Sequence, residues 1–447
     1  MKKIYYLLLP IILIFVFIVF YPFPEKLTLY DLLYNSGRVA GLTALFFFAI
    51  LVISGDLARF FDRFFGIDKI IKFQREFSLI TLVFVLLHPI FFIIANKNFN
   101  YLIPNFAYIG LSFGIVSFYF YLVIMLCSYF YKRISYYAWQ FIHIVIYIAL
   151  IFAFLHAFRY GSDVDNIFVR YLFILLIGLF VIGIIYRTFY KLKQLKNKFY
   201  VEKIDWETKD TFTIKLKQYV NGLENKKLKF KAGQFCFLRL NKENLFARHP
   251  FTISSYDEET LNFTIKLQGK FTKIASELKK GEQVIVEGPF GIFTLDKAFK
   301  EKNKEKDLVF FAGGVGITPF MSFLKFLAKS DQESKLSNRK IFLFYGVRTD
   351  KDIIGKKLFD DLLKNKNLKN KLNIVYCISQ ECSIENRNKK NFEMGYINKE
   401  LILKYLDSFE NKLYYICGPE PMKNSIIKIL KENNVKEKDV FYESFFW

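Results

Sequence analysis

Three of the four histidines in this 447-residue chain, His88, His143 and His156, lie inside long apolar runs. Hydrocarbon offers an imidazole no solvation, so a histidine in such a run marks a functional position by default. His88 ends the stretch LLHP (86–89) and His156 sits in LHAFRYG (155–161). If both runs cross in the same direction, the two imidazoles share a depth. Two neutral imidazoles facing each other across a helical bundle suit the axial positions of a b-type haem. For any one of them alone, a hydrogen bond to a neighbouring helix is the plainer reading. His143 precedes His156 by 13 residues, about 20 Å of helix, so it belongs near the opposite face. Its depth partner on the earlier run is residue 74, a glutamine. Gln74 therefore stands where a second haem would want its other ligand.

Six runs are long and apolar enough to cross roughly 30 Å of hydrocarbon. They fall at about 4–21, 37–54, 77–95, 106–130, 136–157 and 168–186. The first follows Lys2 and Lys3 in the manner of a signal peptide but leads into YPFPEK, without a small-residue cleavage site, so it is expected to be a retained span. Loop 55–76 carries Arg59, Arg63, Lys69, Lys72 and Arg75, loop 131–135 carries Lys132 and Arg133, and Lys191, Lys193, Lys196 and Lys198 follow the last run. The other side has little beyond Lys26, Lys97 and Arg159. This asymmetry predicts a multi-pass cell-membrane protein with both termini and the polar second half in the cytoplasm.

The net charge of +23 raises the question of nucleic acid, but the lysines of the second half are scattered and not interleaved with base-stacking aromatics, so no nucleic-acid partner is expected. The five cysteines (Cys127, Cys236, Cys377, Cys382 and Cys417) form no metal-ligand spacing, which favours a reducing compartment over a disulfide framework.

After residue 198 the pattern turns to short β-runs, FYVEKIDW, FTIKLKQ, GQFCFLRL, HPFTISSY, LNFTIKLQ and EQVIVEGPFG, which predict a small Greek-key barrel. From about 306, strands alternate with helical segments, predicting a doubly wound α/β domain on a parallel sheet. AGGVGITP (312–319) falls between the first strand and helix of that domain. Glycines there let backbone amides approach a diphosphate at a helix N-terminus.

Together these features resemble the ferric reductase and NADPH oxidase superfamily. The membrane part carries Gly37–Arg38, LLHP and LHAFRYG, with QREF (74–77) where that family has a histidine entering the third span. Three of the family's four haem-ligand positions match, at His88, His143 and His156, and Gln74 departs. The resemblance implies that Arg38 contacts an outer haem propionate, the alternative being an arginine that snorkels to the interface. RHPFTISS (248–255) and GKFT (269–272), with GPFG at 288–291, resemble the flavin-binding pattern of ferredoxin-reductase-type domains. In that pattern, within Arg248, His249, Pro250, Phe251 and Thr252, a basic residue approaches the FAD diphosphate (His249, together with Arg248), an aromatic packs on the isoalloxazine (Phe251) and a hydroxyl faces its reactive edge (Thr252), while Gly269 and Thr272 support phosphates. The pairing of Gly313, Gly314, Gly316, Thr318 and Pro319 with CGPEPM (417–422) resembles the nicotinamide-nucleotide module of the same family, placing Cys417, Gly418 and Pro419 beside the nicotinamide. Arg348 would meet the adenosine ribose of NADH or the 2′-phosphate of NADPH. Phe446 or Trp447, in the terminal FYESFFW, would cover the flavin.

The resemblance implies a flavocytochrome b that passes electrons from cytoplasmic NAD(P)H through FAD and haem to an extracytoplasmic acceptor. A ferric chelate is the first choice of acceptor, with dioxygen or a partner redox protein as alternatives. The expected domains are a six-span haem domain (1–190), a FAD-binding barrel (197–298) and an NAD(P)H-binding α/β domain (299–447). For Gln74 three outcomes stand open: one haem only, with His143 hydrogen-bonded to Gln74; an inner haem on His143 alone; or Gln74 as a weak sixth ligand.

Overall fold

The computed structural model describes residues 28–130, 133–134, 136–195, 197–218, 228–240, 248–257, 259–329 and 339–443. The expected first span and the terminal Phe446 and Trp447 lie outside them. The described residues form two compact units, one running to Phe61 and resuming over Lys69–Tyr190, the other comprising Asp62–Asp68 and the chain from Lys191 onward.

The first unit is a helical bundle: α1 (Leu29–Asp56), the short α2 (Ala58–Phe65), which crosses the boundary between units, α3 (Ile67–Asn96), α4 (Ile109–Tyr129), α5 (Tyr136–Tyr160) and α6 (Ile167–Gln194). Five of these, all but α2, lie in helices long and apolar enough to cross a membrane. Thr28 and Asp31 form a capping box that starts α1, satisfying amides that would otherwise lack partners. Phe48, Ala49, Tyr121, Ala149, Leu150 and Phe173 pack the interior. Leu79, Val83, Ile94, Val123, Ile174 and Ile182 are exposed on the outside, an apolar outer surface that suits lipid and not water. The helices outrun their apolar stretches. Thus α3 begins ten residues before the expected span because its first three turns are amphipathic and need no hydrocarbon.

In the second unit, β1 (Lys198–Thr208), β2 (Thr211–Gln218), β3 (Phe235–Leu240), β4 (His249–Tyr256), β5 (Thr260–Lys266) and β6 (Gln283–Phe290) close an antiparallel barrel in the order β1-β2-β5-β4-β3-β6, with α7 (Lys270–Ser276) before β6. Alternate residues such as Phe212, Ile214, Ile253, Phe263, Val284 and Val286 point into its core, as a closed sheet with one buried face requires.

The α/β domain follows: β7 (Asp307–Gly313), α8 (Thr318–Leu327), β8 (Ile341–Thr349), α9 (Lys356–Lys364), β9 (Leu372–Glu381), α10 (Ile384–Arg387), β10 (Phe392–Met394), α11 (Lys399–Tyr405), β11 (Lys412–Cys417), α12 (Glu420–Glu432) and β12 (Val440–Glu443). The sheet is parallel, in the order β10-β9-β8-β7-β11-β12. Apolar clusters cover it on both faces, as parallel sheets demand. The strand order reverses at β7, so a crevice opens beyond the carboxyl ends of β7 and β11, where ligands bind in open α/β sheets.

Candidate functional site

The bundle holds its two imidazoles by one device used twice. The Nδ1–H of His88, on α3, donates to the Gly37 carbonyl of α1 at 2.8 Å. Four residues on, Gly41 faces the same ring: a Cβ built there would come within 2.5 Å of His88 Nδ1. The Nδ1–H of His156, on α5, donates to the Gly110 carbonyl at 2.9 Å, and a Cβ on Gly114 would lie 2.6 Å from His156 Nδ1. Each ring thus sits in a groove that only glycine can provide, and its backbone hydrogen bond fixes the tautomer and leaves Nε2 available. The ring centroids are 6.1 Å apart, with planes at 74°. An iron about 2 Å from each nitrogen needs roughly that separation, so the pair fits a bis-imidazole haem. A cavity of about 230 Å³ contains both histidines. Arg38 and Asp163 also line it and form an ion pair. Arg38 is therefore held by a partner on the segment after α5 and does not merely snorkel.

The opposite end of the bundle differs. Gln74 Nε2 donates to the Leu51 carbonyl at 3.3 Å and to Ser54 Oγ at 3.1 Å, so its amide hydrogens go to α1 and not to His143. His143 instead stacks on Trp139, with centroids 4.9 Å apart and planes at 17°. Asp56, fully buried, accepts from the Tyr147 hydroxyl at 2.5 Å and from Arg187 Nη1 at 2.9 Å, partners that a buried carboxylate requires.

In the barrel, the segment matching the flavin pattern forms the start of β4. Thr252 is buried and its Oγ1 has no hydrogen-bond partner among the described residues. An unpaired buried hydroxyl is costly unless a ligand completes it, which fits a flavin edge at that point. Phe251 stacks on Phe271, with centroids 5.9 Å apart. His249 packs against the Phe271 ring at 4.1 Å, and burial pushes its pKa down. Beside it, Arg248 carries a permanent charge. The Arg248 guanidinium lies over Phe237 and donates to Glu287, a fully buried carboxylate whose other oxygen accepts from Arg239, both at 2.7 Å. Thr272 joins Gly269 O to the Gln268 amide through its hydroxyl and so shapes the turn entering α7.

In the α/β domain the two nucleotide motifs meet. A Cβ on Gly316 would overlap the Cys417 carbonyl, and one on Gly313 would fall 2.7 Å from Pro419. The glycines let the turn after β7 lie directly on CGPEPM, and Thr318 and Pro319 open α8 immediately beyond it. Cys417 is wholly buried, and burial with the neighbouring Glu443 charge pushes its thiol pKa well up. Arg348 lies inside β8, next to its last residue, and is exposed.

The sequence reading missed the glycines Gly41, Gly110 and Gly114 and three acids, Asp163, Glu287 and Glu443. Glu443 lies opposite Cys417 in the β11–β12 register, with Oε1 3.7 Å from where Gly291 would carry a Cβ. Burial, with Asp68 and Asp62 nearby, raises its pKa to about 8. An acid set between aromatics, in FYESFFW, was the one available signal for it.

Residues 36–154 match the ferric reductase like transmembrane component, 197–294 a FAD-binding domain and 310–428 an oxidoreductase NAD-binding domain. The propane 2-monooxygenase reductase component of Mycolicibacterium smegmatis is 24% identical over 55% of this chain and 66% of its own length. One component of the Na(+)-translocating NADH-quinone reductase of Haemophilus influenzae is 29% identical over 40% of each. The chain therefore spans less than two thirds of the length of these relatives. A flavohemoglobin from Malassezia yamatoensis, solved with FAD and heme, superposes with a TM-score of 0.50 at 20% identity over 92% of this chain and 99% of its own, a likeness of fold. With the membrane, flavin and nucleotide modules following one another along a single polypeptide, the chain has the architecture of the ferric reductase/NADPH oxidase superfamily.

Proposed function

We propose that this protein carries electrons from cytoplasmic NAD(P)H across the membrane to an extracytoplasmic ferric chelate, through FAD and a b-type haem held between His88 and His156. The observation that carries the reading is the imidazole pair, each ring fixed by a glycine groove and a backbone carbonyl, with centroids 6.1 Å apart. Bound FAD would divide a two-electron donor into single electrons, and haem would pass them on one at a time.

The chain's own residues then have definite tasks. Thr252 offers its unpaired hydroxyl to the flavin edge, and Arg248 opposes the diphosphate charge. Gly313, Gly314 and Gly316 leave room for the nucleotide, whose nicotinamide lies by Cys417, Gly418 and Pro419. Arg348 meets the ribose or its 2′-phosphate, and Arg38 faces a propionate. Held by both His88 and His156, a bound haem would supply outer-sphere electron transfer to the acceptor.

The test is NADPH- and NADH-driven reduction of a ferric chelate by the purified protein, with and without superoxide dismutase. Rapid reduction insensitive to dismutase is expected. Dismutase-sensitive reduction would replace ferric chelate by dioxygen as the acceptor. No turnover on either would point to a partner redox protein.

A further inference from the structure

The contacts that hold His88 recur fourteen residues away. Moving fourteen residues down α1 and fourteen residues back along α3 carries Gly37 to Leu51, Gly41 to Gly55 and His88 to Gln74. Fourteen residues is just under four helical turns, about 21 Å, so on two antiparallel helices the same faces meet again near the other end. The hydrogen bond is repeated: His88 donates to the Gly37 carbonyl, and Gln74 Nε2 donates to the Leu51 carbonyl. So is the clearance, since a Cβ on Gly55 would lie 3.1 Å from Gln74 Nε2, as one on Gly41 would meet His88. Ser54 takes the second amide hydrogen. With both N–H groups turned to α1, the carboxamide oxygen is directed away from them, and it accepts no hydrogen bond among the described residues. The Gln74 amide nitrogen thus does the work of the imidazole Nδ1, while an oxygen replaces Nε2.

On the facing pair of helices a histidine is kept, His143, thirteen residues before His156 and so one short of that repeat; among the described residues it makes no backbone hydrogen bond like that of His156, and its ring lies on Trp139. A neutral amide oxygen is a hard, weakly basic donor, whereas haem iron in a low-spin site is held by imidazole or sulfur ligands.

From this repeat we propose that Gln74 occupies an axial-ligand position of a second, inner haem site, docked as the imidazole would be but making no bond to iron, so that Gln74→His alone completes a second bis-imidazole site with His143. This rests on reading the His88–His156 pair as a haem site. The wild type then holds one low-spin haem, and any iron at the inner site is high-spin on His143.

Low-spin haem per polypeptide, from electron paramagnetic resonance and pyridine haemochrome on the purified full chain, tests this in wild type, Gln74→His, and Gln74→His combined with His143→Ala. The expected result is a doubling of the low-spin signal in Gln74→His and a return to the wild-type level when His143 is also removed. A folded Gln74→His protein with the wild-type signal would overturn the proposal. So would a gain that survives loss of His143, or a wild type that already carries two low-spin haems. A wild type without any haem would instead overturn the reading of the His88–His156 pair. Should Gln74→His not fold, Gln74→Gly supplied with free imidazole replaces it: a second low-spin signal that appears only with imidazole is expected, and its absence in folded protein counts against the proposal.

Discussion

The bundle and the barrel bind by opposite strategies. In the bundle, the proposed haem site would rest on two nitrogen atoms, each placed by one carbonyl and one glycine. In the barrel the proposed flavin site would be spread over a hydroxyl, an aromatic face and a guanidinium steadied by a buried acid. Hydrocarbon explains the contrast: a membrane interior tolerates few polar groups, so the ones present each do a whole task, whereas a barrel with a single apolar core face can divide the task. Loss in the bundle should therefore be all or none, and loss in the barrel graded.

The largest effect expected is that of His88→Ala or His156→Ala, either of which should abolish the low-spin haem spectrum while leaving FAD content unchanged. Gly41→Ala sharpens the same point. No ligand is removed, yet a Cβ 2.5 Å from the ring nitrogen should displace the imidazole and cost most of the haem, read from the haem-to-FAD ratio. Retention of full haem in Gly41→Ala would show that the groove is not what places the ring.

The second unit carries a charge-dependent feature for which no counterpart is invoked at the haem pair. Glu443 has its folded pKa raised from 4.5 to about 8. Below the unfolded value both states are protonated and nothing is lost. Between about pH 4.5 and 8 the unfolded chain gives up a proton that the folded one keeps, so stability falls as pH rises, by roughly 5 kcal/mol at most. Glu443→Gln should remove that fall. Melting temperatures of wild type and variant should converge near pH 4.5 and separate in the variant's favour toward pH 8.5. Parallel curves would mean that the acid is not buried in the working protein.

Thr252→Val keeps the shape of the barrel wall and removes only the hydroxyl. If that hydroxyl meets the flavin edge, the stopped-flow rate of flavin reduction by NAD(P)H should fall about tenfold to a hundredfold, the worth of one hydrogen bond in a desolvated site. FAD content should stay as in wild type, because the other groups still hold the cofactor.

The spans, the barrel strands, the parallel sheet and the glycine motifs were legible because each is a local pattern: an apolar length, an alternation, a turn. The pairing of His88 with His156 was legible because histidine in hydrocarbon is rare enough to stand out. What could not be read is pairwise. Nothing near His88 says that Gly37 and Gly41, some fifty residues earlier, receive it. Asp163 reads as a loop acid until Arg38 is seen against it, and Glu287 as part of GPFG's approach strand until two arginines are found on it. His249 reads as a cation, yet it packs on the Phe271 ring and its pKa is pushed down. Gln74 was legible as an anomaly, but its posture on α1 depends on helix register.

Arg248 gives the smallest and most discriminating test of the contrast. Its guanidinium is held by Glu287 on one side and the Phe237 ring on the other. Arg248→Gln should raise the dissociation constant for FAD about tenfold, since a charge-assisted hydrogen bond is worth roughly 1.5–3 kcal/mol, and should leave that for riboflavin, which has no phosphate, unchanged. Glu287→Gln should do nearly as much without touching the cofactor, because the two arginines lose the acid that holds them in place. If riboflavin weakens as much as FAD in either variant, these residues only brace β3 against β6, and the diphosphate charge must be met elsewhere. An all-or-none loss of FAD would erase the distinction between the two binding strategies, since a single ion pair would then be as decisive in the barrel as a single imidazole is in the bundle.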